Sequence, residues 1–205
     1  MVATRFHFVV LHERPSPLDE LLLSVEDAPP RLTWRRKWNL VKRTAIPFMV
    51  PLFVVYLAEY FINQGLLELI YFTKFVLSHD SQYRWLQVIY QLGVFVSRSS
   101  ILLFRIRHIY FLSFCQVVNV VIFMLQAVFG YLPNFYVVVT LVLFEGLLGG
   151  LTYVNAFFRL RCEMEPKEEE EFALSVTSCA DTCGIAVAGA LAIPTHTWLC
   201  GVPLP

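Results

Sequence analysis

The sequence has too little charge for a water-soluble protein of its size. Of its 205 residues, 16% are charged and 57% are hydrophobic, and the mean hydropathy is +0.61. A soluble domain carries about 25% charged residues because its surface must be hydrated. The 16 basic and 16 acidic residues cancel, so no overall field favours nucleic acid as a partner. The composition instead favours a multi-pass protein whose main partner is the lipid bilayer.

The sequence also lacks the motifs of a metalloprotein or a hydrolytic enzyme. Its five cysteines include no Cys-x-x-Cys pair, and its five histidines are scattered without the spacing of metal ligands. It contains no recognisable nucleophile triad and no phosphate-binding loop. These motifs are the usual sequence signals of such chemistry. We therefore expect no metal, no other cofactor and no enzymatic activity.

The sequence does contain several long apolar runs. A helix needs about 20 apolar residues to cross a bilayer, and five runs meet this requirement. The predicted spans are residues 45–72, 86–104, 109–129, 135–158 and 172–194. We predict an all-α five-helix transmembrane bundle over residues 45–194. A polar loop at 1–44 with a basic amphipathic end precedes the bundle, and a short tail at 195–205 follows it.

The basic residues predict the orientation of this bundle. Six Lys and Arg residues lie in segment 31–43, beside Trp34 and Trp38, and three lie in loop 159–171. Segments 130–134 and 195–205 contain none. Because basic loops remain in the cytosol, these two loops are expected to be cytosolic and the tail lumenal. The tryptophans are expected to lie in the membrane interface.

Four polar residues interrupt the first apolar run, and each needs a physical reason. An ionisable residue at mid-bilayer costs about 2.5–3.5 kcal/mol on insertion scales. Glu59 and Asn63 share one helical face, whereas Gln64 and Glu68 share a nearly opposite face. Gly65 offers a bend at this point, and interrupted helices are where transporters place binding sites. The polar patch therefore indicates either a substrate or proton path, or hydrogen bonds that hold helices together.

The later runs carry further polar residues and a set of small residues. Arg98 either snorkels to the membrane surface or pairs with an acid, or with a phosphate or carboxylate of a substrate. The candidate residues of a transport path are Glu59, Asn63, Gln64, Glu68, Arg98, Glu145, Asn155 and Asp181. Glycines allow close approach of helices, and the predicted packing positions are Gly146, Gly149, Gly150, Gly184 and Gly189.

Several of these residues lie in motifs with a family resemblance. The motifs are YLAEYFINQGLLEL at 56–69, QYRW at 82–85, GVFVSRSS at 93–100, EGLLGG at 145–150, YVN at 153–155 and DTCGI at 181–185. Together they make the chain similar to the C-terminal half of the battenin family, which is linked to juvenile neuronal ceroid lipofuscinosis. The resemblance implies a multi-pass membrane protein of lysosomes and late endosomes, distantly related to the major facilitator superfamily.

The same resemblance implies a function and its limits. Battenins are associated with lysosomal pH homeostasis, with basic amino acids and with clearance of glycerophosphodiesters. It therefore implies a carrier for a small anionic or basic solute, coupled to protons. A facilitator's path lies between two helix bundles, and one bundle is missing here, so the chain is expected to be incomplete as a carrier. The alternative is a membrane adaptor that binds trafficking proteins of the endosome, lysosome and Golgi through cytosolic loops 1–44 and 159–171.

Overall fold

The computed structural model describes residues 32–101 and 105–201, and within these ranges it is helical with no β-strand. Its α-helices are α1 (Trp34–Thr44), α2 (Val50–Phe61), α3 (His79–Ser99), α4 (Ile109–Phe129), α5 (Phe135–Glu163) and α6 (Lys167–Cys200). The prediction of an all-α membrane protein is confirmed. Residues 1–31 of the expected N-terminal loop, 102–104 of the expected second span and 202–205 of the tail lie outside the described residues.

Four helical segments are long and apolar enough to cross a membrane: Trp34–Leu69, Ile109–Phe129, Phe135–Glu163 and Lys167–Cys200. The other long helix, α3, carries Asp80, Arg84 and Arg98 within its 21 residues and is less apolar than these four. The predicted number of five spans is therefore not confirmed by the part of the chain that the structure describes.

The first span is an uninterrupted helical segment that departs from the α-helical hydrogen-bond pattern at three places. Residues Ala45–Met49 and Ile62–Leu66 form π-helical turns on either side of α2, and a 3-10 turn at Leu67–Leu69 ends the segment. Pro47 lies within the first π turn. Proline lacks an N–H and clashes with the carbonyl four residues earlier, so a regular α-helical ladder cannot pass through this position. The π turns therefore set which residues of α2 face the other helices.

The helices pack most extensively as two pairs, α3 with α5 and α2 with α6, and α2 also contacts α4 and α5. Glycines permit both pairings. A Cβ atom at Gly93 would lie 2.6 Å from the Leu143 carbonyl oxygen, and one at Gly184 would lie 2.7 Å from that of Phe53. Backbones can approach this closely only without a side chain between them.

The predicted packing glycines do not all occupy such contacts. Gly146, Gly149 and Gly150 are buried in α5, and Gly184 is buried between α6 and α2. Gly189 is different, because the nearest atom to a Cβ there would be Gln64 Oε1, at an ordinary contact distance of 3.7 Å. The structure also adds Gly93 to the seam between α3 and α5.

Helix α1 is tied to the start of α6 by its basic side chains. Arg36 forms an ion pair with Glu169, and the Lys37 ammonium lies 5.4 Å from the centre of the Phe172 ring. Trp34 and Trp38 are exposed and lie edge to face, with ring centres 5.9 Å apart. Exposed tryptophans beside basic residues are typical of a helix at the membrane interface.

Candidate functional site

Two carboxylates from different spans meet in one buried hydrogen-bond network. Glu59 on α2 is 2% exposed and Glu145 on α5 is fully buried. The Asn63 amide connects the Glu145 carboxylate to the backbone of Glu59, since its Nδ2 donates to Glu145 Oε1 at 2.9 Å and to the backbone carbonyl of Glu59 at 2.9 Å. Tyr90 on α3 completes the network by donating its hydroxyl to Glu59 Oε1 at 2.6 Å. The network therefore links α2, α3 and α5.

A glycine on α5 makes room for the Glu59 carboxylate. Gly149 follows Glu145 by one helical turn, so both residues face α2. A Cβ atom at Gly149 would lie 2.6 Å from Glu59 Oε2, well inside the van der Waals distance. Gly149 thus serves a specific side chain, in addition to the general packing role that the sequence predicts for it.

Two oxygen atoms of the network have no hydrogen-bond partner among the described residues. They are Asn63 Oδ1 and Glu145 Oε2, and both are buried. An unsatisfied buried polar atom costs about 1–3 kcal/mol, so a network built only to hold helices together would be expected to pair them. The network can therefore accept at least one more hydrogen-bond donor.

A polar cavity of about 200 Å³ adjoins the network. Two network residues, Asn63 and Tyr90, form part of its wall. All of its lining side chains are uncharged phenols or amides: Tyr60, Asn63, Gln64, Tyr83, Gln87, Tyr90 and Gln91. These groups can donate and accept hydrogen bonds. A small polar solute in this cavity would contact Asn63, which binds the Glu145 carboxylate, and Tyr90, which binds the Glu59 carboxylate.

The π turn at Ile62–Leu66 explains how neighbouring residues reach the same cavity. In a straight α-helix, with about 100° per residue, Gln64 would face away from Glu59. A π turn rotates less per residue because its hydrogen bonds run from i to i+5, and Asn63 and Gln64 both line the cavity. Glu68 is exposed and borders a second cavity of about 480 Å³, which includes Gln64 and His196. Glu68 therefore lies outside the buried network.

The remaining predicted site residues lie at other positions. Arg98 is exposed, and its Nη2 donates to the Tyr56 hydroxyl at 2.9 Å. Asp181 is partly buried on α6, and its Oδ1 accepts from the backbone N–H of Thr182 at 2.8 Å. Asn155 is buried and accepts from the backbone N–H of Ile106 at 2.7 Å. Asn155 thus holds the chain between α3 and α4 and does not join the network.

Sequence reasoning missed the contribution of α3 to the site. Tyr83, Gln87 and Gln91 recur every four residues and therefore share one face of this helix, a signal that could have been found. Tyr90, seven residues after Tyr83, shares this face, but a tyrosine in an apolar run is equally consistent with packing. Only the position of Glu59 identifies it as a network residue.

Comparison with known proteins identifies the family that the sequence motifs indicate. The family model described as "CLN3 protein" matches residues 15–202. The chain belongs to the CLN3 family. It is 43% identical over 177 residues to Battenin of Canis lupus familiaris, covering 86% of this chain and 40% of that protein. It is 41% identical over 182 residues to Protein btn1 of Aspergillus fumigatus, covering 86% and 39%.

A further relative is Protein BTN1 of Saccharomyces cerevisiae, which is 39% identical over 171 residues, covering 78% of this chain and 42% of the yeast protein. The chain thus spans about two fifths of the length of these curated relatives. No solved structure matches it. The predicted battenin resemblance is confirmed, and the apolar helices agree with a multi-pass membrane protein of the CLN3 family.

Proposed function

We propose that this CLN3-family chain forms part of a solute carrier of the lysosomal or vacuolar membrane. The observation that carries the proposal is the pair of buried acids, Glu59 and Glu145, beside a polar cavity, with Asn63 bound to the Glu145 carboxylate and to the Glu59 backbone. In this proposal the chain supplies one helix bundle of a two-bundle carrier of the facilitator type. Solute would pass between the bundles by alternating access, as in other carriers with this organisation.

The charge of the network supports a role in coupling. Two buried carboxylates cannot both be negative without a compensating positive charge, because the desolvation and repulsion costs in a low-dielectric interior are large. A proton can supply that charge, and so can the cationic group of a solute. Release of either one would alter the hydrogen bonds that join α2 to α5. This coupling would connect lumenal acidity to movement of the helices.

The lining of the cavity supports the solute classes that the family resemblance implies. Phenol and amide groups hydrogen-bond to polar solutes, and the carboxylates behind them favour a positive group. Basic amino acids carry such a group, and so do glycerophosphodiesters with a quaternary or primary amine. Export of these solutes together with protons would also contribute to lysosomal pH homeostasis. In this proposal the protein acts as a carrier and not as an enzyme.

The test uses a chimera in which this chain replaces the matched segment of canine Battenin, reconstituted in liposomes. Efflux of labelled arginine and of labelled glycerophosphocholine is measured with an acidic and with a neutral interior. Glu59→Gln is expected to abolish the difference between the two conditions, because glutamine cannot release a proton. The matched control is Glu171→Gln, which changes an exposed acid at the start of α6 and is expected to leave the flux unchanged.

Two results would contradict the proposal. Flux of Glu59→Gln that still responds to internal acidity would remove Glu59 from the coupling step. Absence of flux in a folded wild-type chimera would count against a carrier altogether. In that case, loss of bound trafficking proteins after replacement of segment 159–171, which comprises the end of α5, the connection at 164–166 and the start of α6, would support the adaptor alternative.

A further inference from the structure

Arg98 lies near the C-terminal end of α3 and has no carboxylate partner among the described residues. The ion pairs in this part of the chain involve Arg36, Arg159 and Arg161. The guanidinium of Arg98 instead lies 4.4 Å from the centre of the Tyr153 ring and donates to the Tyr56 hydroxyl at 2.9 Å. An arginine that only snorkels to the membrane surface does not need two aromatic partners from two other helices.

The two tyrosines are themselves held in place. Tyr56 on α2 is buried, and its ring stacks on that of Tyr60 with centres 6.2 Å apart. Tyr153 on α5 packs against Tyr56 at 6.2 Å and against Phe157 at 4.5 Å. The guanidinium is therefore oriented by a group of packed rings where α2, α3 and α5 meet. Such preorganisation lowers the entropy that an arginine loses when it binds an anion.

A cavity of about 400 Å³ adjoins this group of rings, and Tyr153 and Phe157 form part of its wall. Arg161 also lines the cavity and pairs with Glu170, its Nε lying 3.2 Å from Glu170 Oε1. Arg98 is next to this space through its contact with the Tyr153 ring, which forms part of the wall. The space is large enough for a small organic solute. The basic loops predict that this end of the bundle faces the cytosol.

We propose that Arg98 binds the anionic group, a carboxylate or a phosphodiester, of a small zwitterionic solute at the junction of Tyr56 and Tyr153. The guanidinium carries five N–H donors in a planar fork, and one of them bonds to Tyr56. The remaining donors match the paired oxygens of either anion. The inference rests on the proposed function, because the anion is taken to belong to the carried solute.

Nearby acids explain why a zwitterion is preferred to a simple anion. Glu59 follows Tyr56 by three residues on α2, so the two residues lie on the same side of that helix. Gly184, one turn after Asp181, packs α6 against α2 beside Tyr56. These acids repel an isolated anion and attract the positive group of a zwitterion. The arginine and the acids would then bind opposite ends of one solute.

The experiment measures equilibrium binding to the purified full chain, without transport. Labelled arginine and labelled glycerophosphocholine are the two probes, and they distinguish a carboxylate from a phosphodiester. Arg98→Gln is expected to weaken binding of the favoured probe by at least about tenfold, the effect of losing charge-assisted hydrogen bonds. Arg98→Lys keeps the charge but not the planar fork, so a smaller loss is expected. Arg84→Gln, at an exposed position on the same helix, is the matched control and should bind as the wild type does.

Several outcomes would overturn the inference. One is equal affinity of Arg98→Gln and the wild type, and another is absence of binding of both probes to the wild type. Displacement of bound probe by phosphatidic acid vesicles, with the same Arg98 dependence, would assign the arginine to a lipid headgroup instead. If Arg98→Gln fails to fold, Arg98→Lys and Tyr153→Leu decide the question, since both must weaken binding while Tyr153→Phe must not. Intact Arg98-dependent binding without flux in the chimera would contradict the carrier function but not this site.

Discussion

Replacing Gly149 by alanine tests whether the Glu59 carboxylate occupies the position that the structure gives it. The new Cβ would lie 2.6 Å from both Glu59 Cδ and Glu59 Oε2. The carboxylate is the end of a flexible side chain, so it would move, and its 2.6 Å hydrogen bond from Tyr90 would lengthen or break. Overpacking costs about 1–3 kcal/mol, and losing a hydrogen bond to a charged group costs about 1.5–3 kcal/mol.

The helix propensity of alanine offsets about 1 kcal/mol of this cost. We therefore expect Gly149→Ala to lower the free energy of unfolding by about 2 kcal/mol or more. The assay is unfolding of the purified chain in mixed micelles, followed by tryptophan fluorescence. Gly189→Ala makes the same chemical change where the nearest atom would be 3.7 Å away, so it should be neutral or slightly stabilising. Equal stability of the two variants would refute the placement of Glu59 against Gly149.

Two further predictions concern single contacts. Tyr90→Phe removes only a hydroxyl and leaves Glu59 Oε1 without its donor. The same assay should therefore show that the free energy of unfolding falls by about 1.5–3 kcal/mol. A fall of less than about 0.5 kcal/mol would mean that this hydrogen bond does not stabilise the bundle. Arg36→Ala breaks the ion pair with Glu169. Because the Arg36 side chain is 58% exposed, the free energy of unfolding should fall by less than about 1 kcal/mol. A larger loss would show that the pair fixes α1 against α6.

The sequence identified three of the network residues as candidates for a transport path, because polar side chains are costly inside a membrane. Glu59, Asn63 and Glu145 are unfavourable in an apolar span, so each one needs a physical reason. The α-helical repeat places Glu59 and Asn63 on one face. The structure brings all three together. The glycines beside Glu145 were likewise predictable, because small residues in a span indicate close helix contacts.

Other features could not be predicted from periodicity. A straight α-helix places Gln64 far from Glu59, and only the change of hydrogen-bond pattern at Ile62–Leu66 brings Gln64 to the cavity of Asn63. Local propensity does not reveal a π turn, because its stability depends on packing: Gly65 is buried there, and a Cβ at this position would lie 3.2 Å from Ala192 Cβ. Asn155 shows that a polar residue near the end of a span can also hold the connection to the next helix, because its side chain accepts a hydrogen bond from the backbone N–H of Ile106.

The structure gives the first span two polar faces with different properties. On the buried face, Glu59 and Asn63 are bound by α3 and α5 through bonds whose loss would destabilise the bundle. On the other face, Tyr60 and Gln64 line cavities and remain accessible to a solute. The sequence left open whether the polar residues serve packing or transport, and the arrangement of the first span is compatible with both. In the proposed carrier, a solute or proton that changes the charge of the buried face would alter the bonds that position the accessible face. The packing network itself would then be the coupling element.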